Sequence, residues 1–282
     1  MIGSAGYAGC VGGSILSRLK TLTLNSDHLK PSRTIHGVIV SNGLDLVSVF
    51  GDYLIRLYSS IHGNLEASAQ VFIRIPHPSI YTWNAILSAH SKLGREEAVF
   101  DLFRQMKKQG IKPDRVTALC LMTACGNMGD IKEGRLMHAY ICRCFLRQDM
   151  ILDSALIDMY AKCGDTYDAS RIFNMLSFKD VVTWGAMIAC YARHGHGLAA
   201  IGLFLQMQDE GMSSNNVVFS SVLIACASIG AIEDGWLFHS QIVEASVEED
   251  LVIIGSLVDM YSKCGKLEDA QTLFENTTNF KD

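Results

Sequence analysis

From Ile80 to Asp114 the apolar positions come in two bursts separated by a glycine, and within each burst they recur at three- and four-residue spacing. Trp83, Ile86, Leu87 and His90 share one face of a helix at that spacing, and Gly94 suits the left-handed position that ends it. A second helix follows, marked by Ala98, Leu102, Phe103 and Met106 and closed by Gly110 and Pro113. In the next segment Asp130, followed three residues later by Glu133, reads as an N-cap with an acidic partner in the first turn. The pattern predicts helix-turn-helix hairpins with almost no strand-like alternation between them.

The hairpins repeat. Shifting the chain by 101 residues lays Thr82 and Trp83 on Thr183 and Trp184, Ala124 and Cys125 on Ala225 and Cys226, and Gly134 and His138 on Gly235 and His239. The run Asp158, Met159, Tyr160 falls on Asp259, Met260, Tyr261, and Lys162, Cys163, Gly164 on Lys263, Cys264, Gly265. Inside this period lie units of 35, 35 and 31 residues. After a segment 1–12, the units span 13–47, 48–79, 80–114, 115–149, 150–180, 181–215, 216–250 and 251–282. One hairpin cannot bury its apolar face alone, whereas stacked hairpins share a continuous core and curl around a concave surface lined by their first helices. The expected fold is therefore an all-α solenoid.

Composition narrows the partners more than the fold. With 24 Lys+Arg against 29 Asp+Glu the net charge is −5, so bulk basicity gives no argument for nucleic acid and only a local cationic track remains open. No apolar run is long enough to span a bilayer. Nine cysteines, an odd count in a long chain without a secretory n-region, point to reduced thiols. Residues 1–26 carry no Asp or Glu and only Arg18 and Lys20 as charges, which is faintly like an organellar transit peptide, but a repeat beginning at Gly13 leaves no room for a separate presequence.

A 35-residue unit opening Val181-Val182-Thr183-Trp184, with Leu203, Phe204 and Met207 in its second half, resembles the pentatricopeptide repeat. The order of unit lengths is similar to the P, L and S variants of land-plant organellar RNA-binding proteins. Met159 to Gly164 and Met260 to Gly265 resemble the S variant, and Gly134 to His138 the L variant. The W-x-x-L-G-x-x-Y pattern of tetratricopeptide repeats is missing. The resemblance implies a right-handed superhelix and single-stranded RNA as the partner. Departures fall at the ends: the unit at Gly13 is a degraded L-type, the unit at Ser48 has an extra residue around Ile61 and His62 before Gly63, and the last unit has one between Phe274 and Asp282.

Three columns of residues are candidates for contact with RNA. The thirteenth position holds Lys92, Lys162, Arg193 and Lys263 in four of the five P- and S-type units, and Asn25, Asn127 and Ser228 in the L-type units. Such cations can track phosphates, with a slope of log affinity on log salt near −3 at about −0.7 per contact. Cations at the end of a first helix equally favour the negative end of its dipole. By the resemblance, the fifth and last residues of each unit read one base: Asn84 with Asp114, Ser154 with Asp180, Gly185 with Asn215, and Gly255 with Asp282. Taken singly, those residues read as N-caps and turns. The resemblance further implies that Tyr81, Ile151, Val182 and Val252, the second residues, sandwich bases; periodicity alone makes them ordinary core positions. An ionised Asp only accepts and so favours the ring N–H of uracil or guanine, while an Asn amide can also donate. From the unit of Ile80 the expected reading is U, any, G, A or C, any, then U or G, each L-type unit passing one unspecified base.

Other chemistries find no support in the residues. Cys142 and Cys144 are separated by one residue, too close for a zinc knuckle, and His36, His138 and His239 share a helical position that suits packing or hydrogen bonding. No H-x-E with downstream P-C-x-x-C, no Walker loop, H-E-x-x-H or G-x-S-x-G occurs, so neither a cofactor nor a small-molecule substrate is expected. The functional expectation is sequence-specific binding of single-stranded RNA in a mitochondrion or chloroplast, positioning a separately supplied RNA-editing or processing protein. The rival is a helical-repeat scaffold that holds a peptide or helix without reading RNA.

Overall fold

The structure is a computed structural model and describes residues 37, 39, 48–60, 64–144, 149–246 and 250–279. Gly13, Asn25, His36, Ile61, His62, Gly63 and Asp282 lie outside the described residues. The described elements are all helical: α1 (Ser48–Ser60), α2 (Leu65–Arg74), α3 (Ile80–Lys92), α4 (Glu96–Lys108), α5 (Arg115–Met128), α6 (Ile131–Cys144) and α7 (Met150–Lys162), followed by α8 (Thr166–Met175), α9 (Val181–Arg193), α10 (Gly197–Asp209), α11 (Asn216–Ile229), α12 (Ile232–Glu244), α13 (Leu251–Lys263) and α14 (Leu267–Asn279). None is long and apolar enough to cross a membrane.

The helices start where the backbone donors of a first turn find a side-chain acceptor. Ser79 caps α3 in a reciprocal box with Thr82, and Asp180 and Asn215 cap α9 and α11 by accepting from Thr183 and Val218. Asp130 accepts from the backbone of Lys132 and Glu133 at the start of α6. Gly94 ends the first helix of its hairpin at φ +62°, a conformation that a side chain would strain.

The chain forms two compact units, divided near Gly129. In the first, α1, α3 and α5 pack in succession, and α2 and α4 each rest on the following first helix. In the second, α7, α9, α11 and α13 make the same succession, backed by α8, α10 and α12. The internal repeat reproduces the contact at the heart of each. Trp83 meets Phe72 edge-on at 4.7 Å, and Trp184, 101 residues later, meets Phe173 edge-on at 5.0 Å. Both tryptophans are fully buried. Packing is close at Gly197, where a Cβ would lie 2.5 Å from Ile229 Cγ2 and 3.0 Å from the Ala225 carbonyl oxygen, so α10 crosses α11 only because that residue has no side chain.

Two of the repeated histidines are hydrogen-bonded to tyrosines. His138 Nδ1 lies 2.8 Å from the Tyr160 hydroxyl, and His239 Nδ1 is 2.8 Å from that of Tyr261. Burial, helped by the charge of Asp168, pushes Tyr160 up to about 12, so its phenol keeps its proton beside the imidazole. Burial likewise holds His90, His138 and His239 below the ordinary histidine value. A histidine pKa depressed on folding means that the unfolded chain binds protons first. Stability is then complete above about pH 6.5 and falls as the pH drops from there through the folded values. The thermal midpoint should therefore decrease between pH 7 and pH 5.5. In a His138→Gln, His239→Gln double variant that decrease should be smaller; an equally steep fall would place its origin elsewhere.

Candidate functional site

The second residue of each unit decides which face of the first helix meets solvent. Tyr81, Ile151, Val182 and Val252 are 51–65% exposed, whereas the third and fourth residues beside two of them, Thr82, Trp83, Thr183 and Trp184, are buried. The core reading of the second column is thus corrected. A helix turns 100° per residue, so the third and fourth positions cannot face outward along with the second, and the large tryptophan takes the interior. Val116 and Val217, the second residues of L-type units, are exposed in the same way although their column position was the only signal for them.

The thirteenth residue lies eleven positions on, about 20° from the second around the helix, so each cation shares the face of its exposed apolar residue. Lys92, Lys162, Arg193 and Lys263 are all exposed. Two of them are not available in full. Lys162 Nζ is 2.8 Å from Asp158 and Lys263 Nζ 2.8 Å from Asp259, one turn earlier on the same helix. The corresponding positions before Lys92 and Arg193 are Ser88 and Ala189, which carry no charge.

The fifth and last residues are brought together by the start of the following helix. Asn84 Nδ2 donates to both Asp114 oxygens at 2.9 and 2.8 Å, and its Oδ1 accepts from the Thr117 hydroxyl at 2.7 Å. Asp114 Oδ1 in turn accepts from the Thr117 backbone at 3.0 Å. Ser154 and Asp180 meet through Thr183, whose hydroxyl lies 2.8 Å from Ser154 Oγ and donates to Asp180 Oδ1 at 2.7 Å. Asn215 caps α11, while Gly185, buried beneath Val218, offers no side chain to it. Gly255 is exposed, and its intended partner Asp282 lies outside the described residues. N-capping and proximity to the fifth residue coexist in the same carboxylates.

Between α9, α11 and α13 these columns border one open cleft of about 370 Å³. Arg193 from the thirteenth column and Val252 from the second line it, together with the L-type residues Val217, Ser220, Ile224 and Asp250. Asp250 Oδ2 accepts from Asn216 Nδ2 at 2.6 Å, and its other oxygen caps α13. The cleft thus joins a cation, an apolar floor and a carboxylate within one first-helix face. Sequence reasoning passed over the L-type contributors because their unit was read as a spacer.

Comparison with known proteins meets this geometry from another direction. The PPR repeat family model matches residues 78–127 and 179–228, and the PPR repeat model matches residues 154–181 and 252–276. A mitochondrial pentatricopeptide repeat-containing protein of Arabidopsis thaliana is 32% identical over 242 residues, covering 86% of this chain and 43% of the relative. The chloroplastic pentatricopeptide repeat-containing protein CRR2 of Arabidopsis thaliana is 34% identical over 253 residues, covering 88% of this chain and 38% of the relative. The crystal structure of the pentatricopeptide repeat protein PPR10 in complex with an 18-nt psaJ RNA element superposes with a TM-score of 0.80 at 20% identity, over 94% of this chain and 40% of that one. The chain spans about two fifths of the length of these proteins.

Proposed function

Because the chain belongs to the pentatricopeptide repeat family, we propose that it binds single-stranded RNA by sequence, one base per P- or S-type unit, on the face formed by its first helices. The observation that carries this reading is the column of exposed apolar second residues, Tyr81, Ile151, Val182 and Val252, each followed on its helix by a buried residue. An apolar side chain left in water once per repeat, on the same face as a cation, suits a base that stacks and a phosphate that follows it. Relatives named mitochondrial and chloroplastic support an organelle as its place of action, and the P, L and S order of units supports a role in positioning an RNA-editing or processing protein.

Selection from a random RNA pool, followed by sequencing, tests the reading. The enriched sequences should carry U, any, G, A or C from the unit of Ile80 onward. With Lys162 and Lys263 already paired, Lys92 and Arg193 dominate the phosphate contacts, so log affinity should fall with log salt at a slope of about −1.4 in place of −3. A pool that emerges unenriched, while protein partners are captured from the same extract, would favour the scaffold instead.

A further inference from the structure

Three threonines, Thr82, Thr117 and Thr183, occupy the third position of the units at 80, 115 and 181 and are buried, and two of them bond polar side chains on both sides of a unit boundary. Thr82 lies beside the Asp52 carboxyl of the preceding unit and forms the capping box with Ser79. Thr117 donates to Asn84 Oδ1 at 2.7 Å, from a position 33 residues away, while the same residue is capped by Asp114. Thr183 joins Ser154 to Asp180. Capping accounts for the bond to the last residue and leaves the bond to the fifth residue unexplained. Where the third residue is apolar the bridge is missing: Val218 follows Gly185, which has no side chain, and Ile253 follows Ser220, whose hydroxyl turns 2.7 Å from Ser256 instead.

We infer that this third-position threonine is a specificity-determining positioning residue, which holds the fifth residue of the unit before it in one hydrogen-bonding orientation and thereby selects the base edge that unit accepts. The inference rests on the base-reading proposal above and names a residue that proposal does not contain. Its chemistry is clearest at Asn84. An amide offers an acceptor at Oδ1 and donors at Nδ2. The Thr117 hydroxyl has one proton, and at 2.7 Å from Asn84 Oδ1 against 3.2 Å from Asp114 Oδ1 it is given to the amide, filling one lone pair and holding Oδ1 inward. What remains toward Asp114 is an N–H donor beside a carboxylate acceptor. Uracil complements that pair with a carbonyl oxygen and a ring N–H. Cytosine opposes it, because its bare ring nitrogen faces the carboxylate and its amino group faces another donor. Without the hydroxyl the amide can turn its oxygen outward and accept from cytosine.

The test compares the affinity of the whole chain for two RNA oligonucleotides that differ only in uracil or cytosine at the base facing Asn84. Thr117→Val keeps the shape and removes the hydroxyl, so the preference for uracil over cytosine should fall about threefold to tenfold, the worth of one hydrogen bond. Thr117→Ser restores the hydroxyl and should restore the preference, which a role in packing alone would not produce. Thr183→Val supplies a second site should the first variant fold poorly, with the choice between guanine and adenine at the base facing Ser154 expected to weaken likewise. If Thr117→Val leaves the uracil preference intact while Asn84→Ser shifts it, Thr117 is a capping residue and the inference fails with base reading preserved. If neither variant alters any preference, base reading itself fails and the inference with it.

Discussion

Replacing Asn84 by Ser is expected to move the preference of the unit at Ile80 from uracil to guanine by about tenfold or more, the scale of a hydrogen bond to a charged group. The amide of Asn84 reaches Asp114 directly, spanning the gap between the two helices with its Nδ2. A serine hydroxyl is shorter. The Ser154 unit shows how such a side chain settles, turned back onto Thr183 and in contact with Asp180 only through it. The carboxylate would keep its requirement for a ring N–H, which uracil and guanine both satisfy, while the space vacated by the amide admits the larger purine. Affinities of both proteins for matched U- and G-containing oligonucleotides measure the change. Unaltered discrimination, with helicity preserved, would mean that Asn84 serves only to brace Asp114.

The largest effect on stability should come from Trp184→Ala, at about 3–5 kcal/mol. The indole is fully buried and packs edge-on against Phe173, and truncation leaves a void between α8 and α9. Its N–H finds no acceptor among the described residues, so the loss is one of packing and not of hydrogen bonding. Trp184→Phe therefore serves as the informative control: it keeps an aromatic edge against Phe173 and removes an unsatisfied donor, and its cost should be well under half that of alanine. Chemical denaturation at unchanged slope reads both variants. Equal costs would show that the indole N–H has a partner of importance.

Local chemistry explains why so much was legible before any coordinates. Three- and four-residue spacing of apolar positions, a cap such as Asp130 and a glycine such as Gly94 each act within one turn, so the helices and their ends follow from neighbouring residues alone. The shift by 101 residues carries the same information across the chain, since a hairpin with the same apolar pattern must bury the same face. That is why Trp83 against Phe72 and Trp184 against Phe173 recur with the same edge-on geometry.

The candidate site was legible as columns and not as contacts. That Tyr81 and Val182 face solvent while Trp83 and Trp184 go inside is a contest between adjacent apolar residues, decided by which of them the neighbouring hairpin covers. Pairing of Lys162 with Asp158 and of Lys263 with Asp259 was open to a reading at i, i+4 spacing, yet it halves the cationic track that the thirteenth column suggested. The bonds from Thr117 to Asn84 and from Thr183 to Ser154, and those of His138 and His239 to tyrosines, join residues 22 to 33 positions apart. By itself the sequence determined the helical hairpins and the columns of residues that recur along them, because each of these follows from interactions within a turn or from repetition along the chain. Only the tertiary structure decided which of those side chains hold one another and in which orientation, because that depends on how closely one hairpin settles on the next, a distance no local pattern encodes.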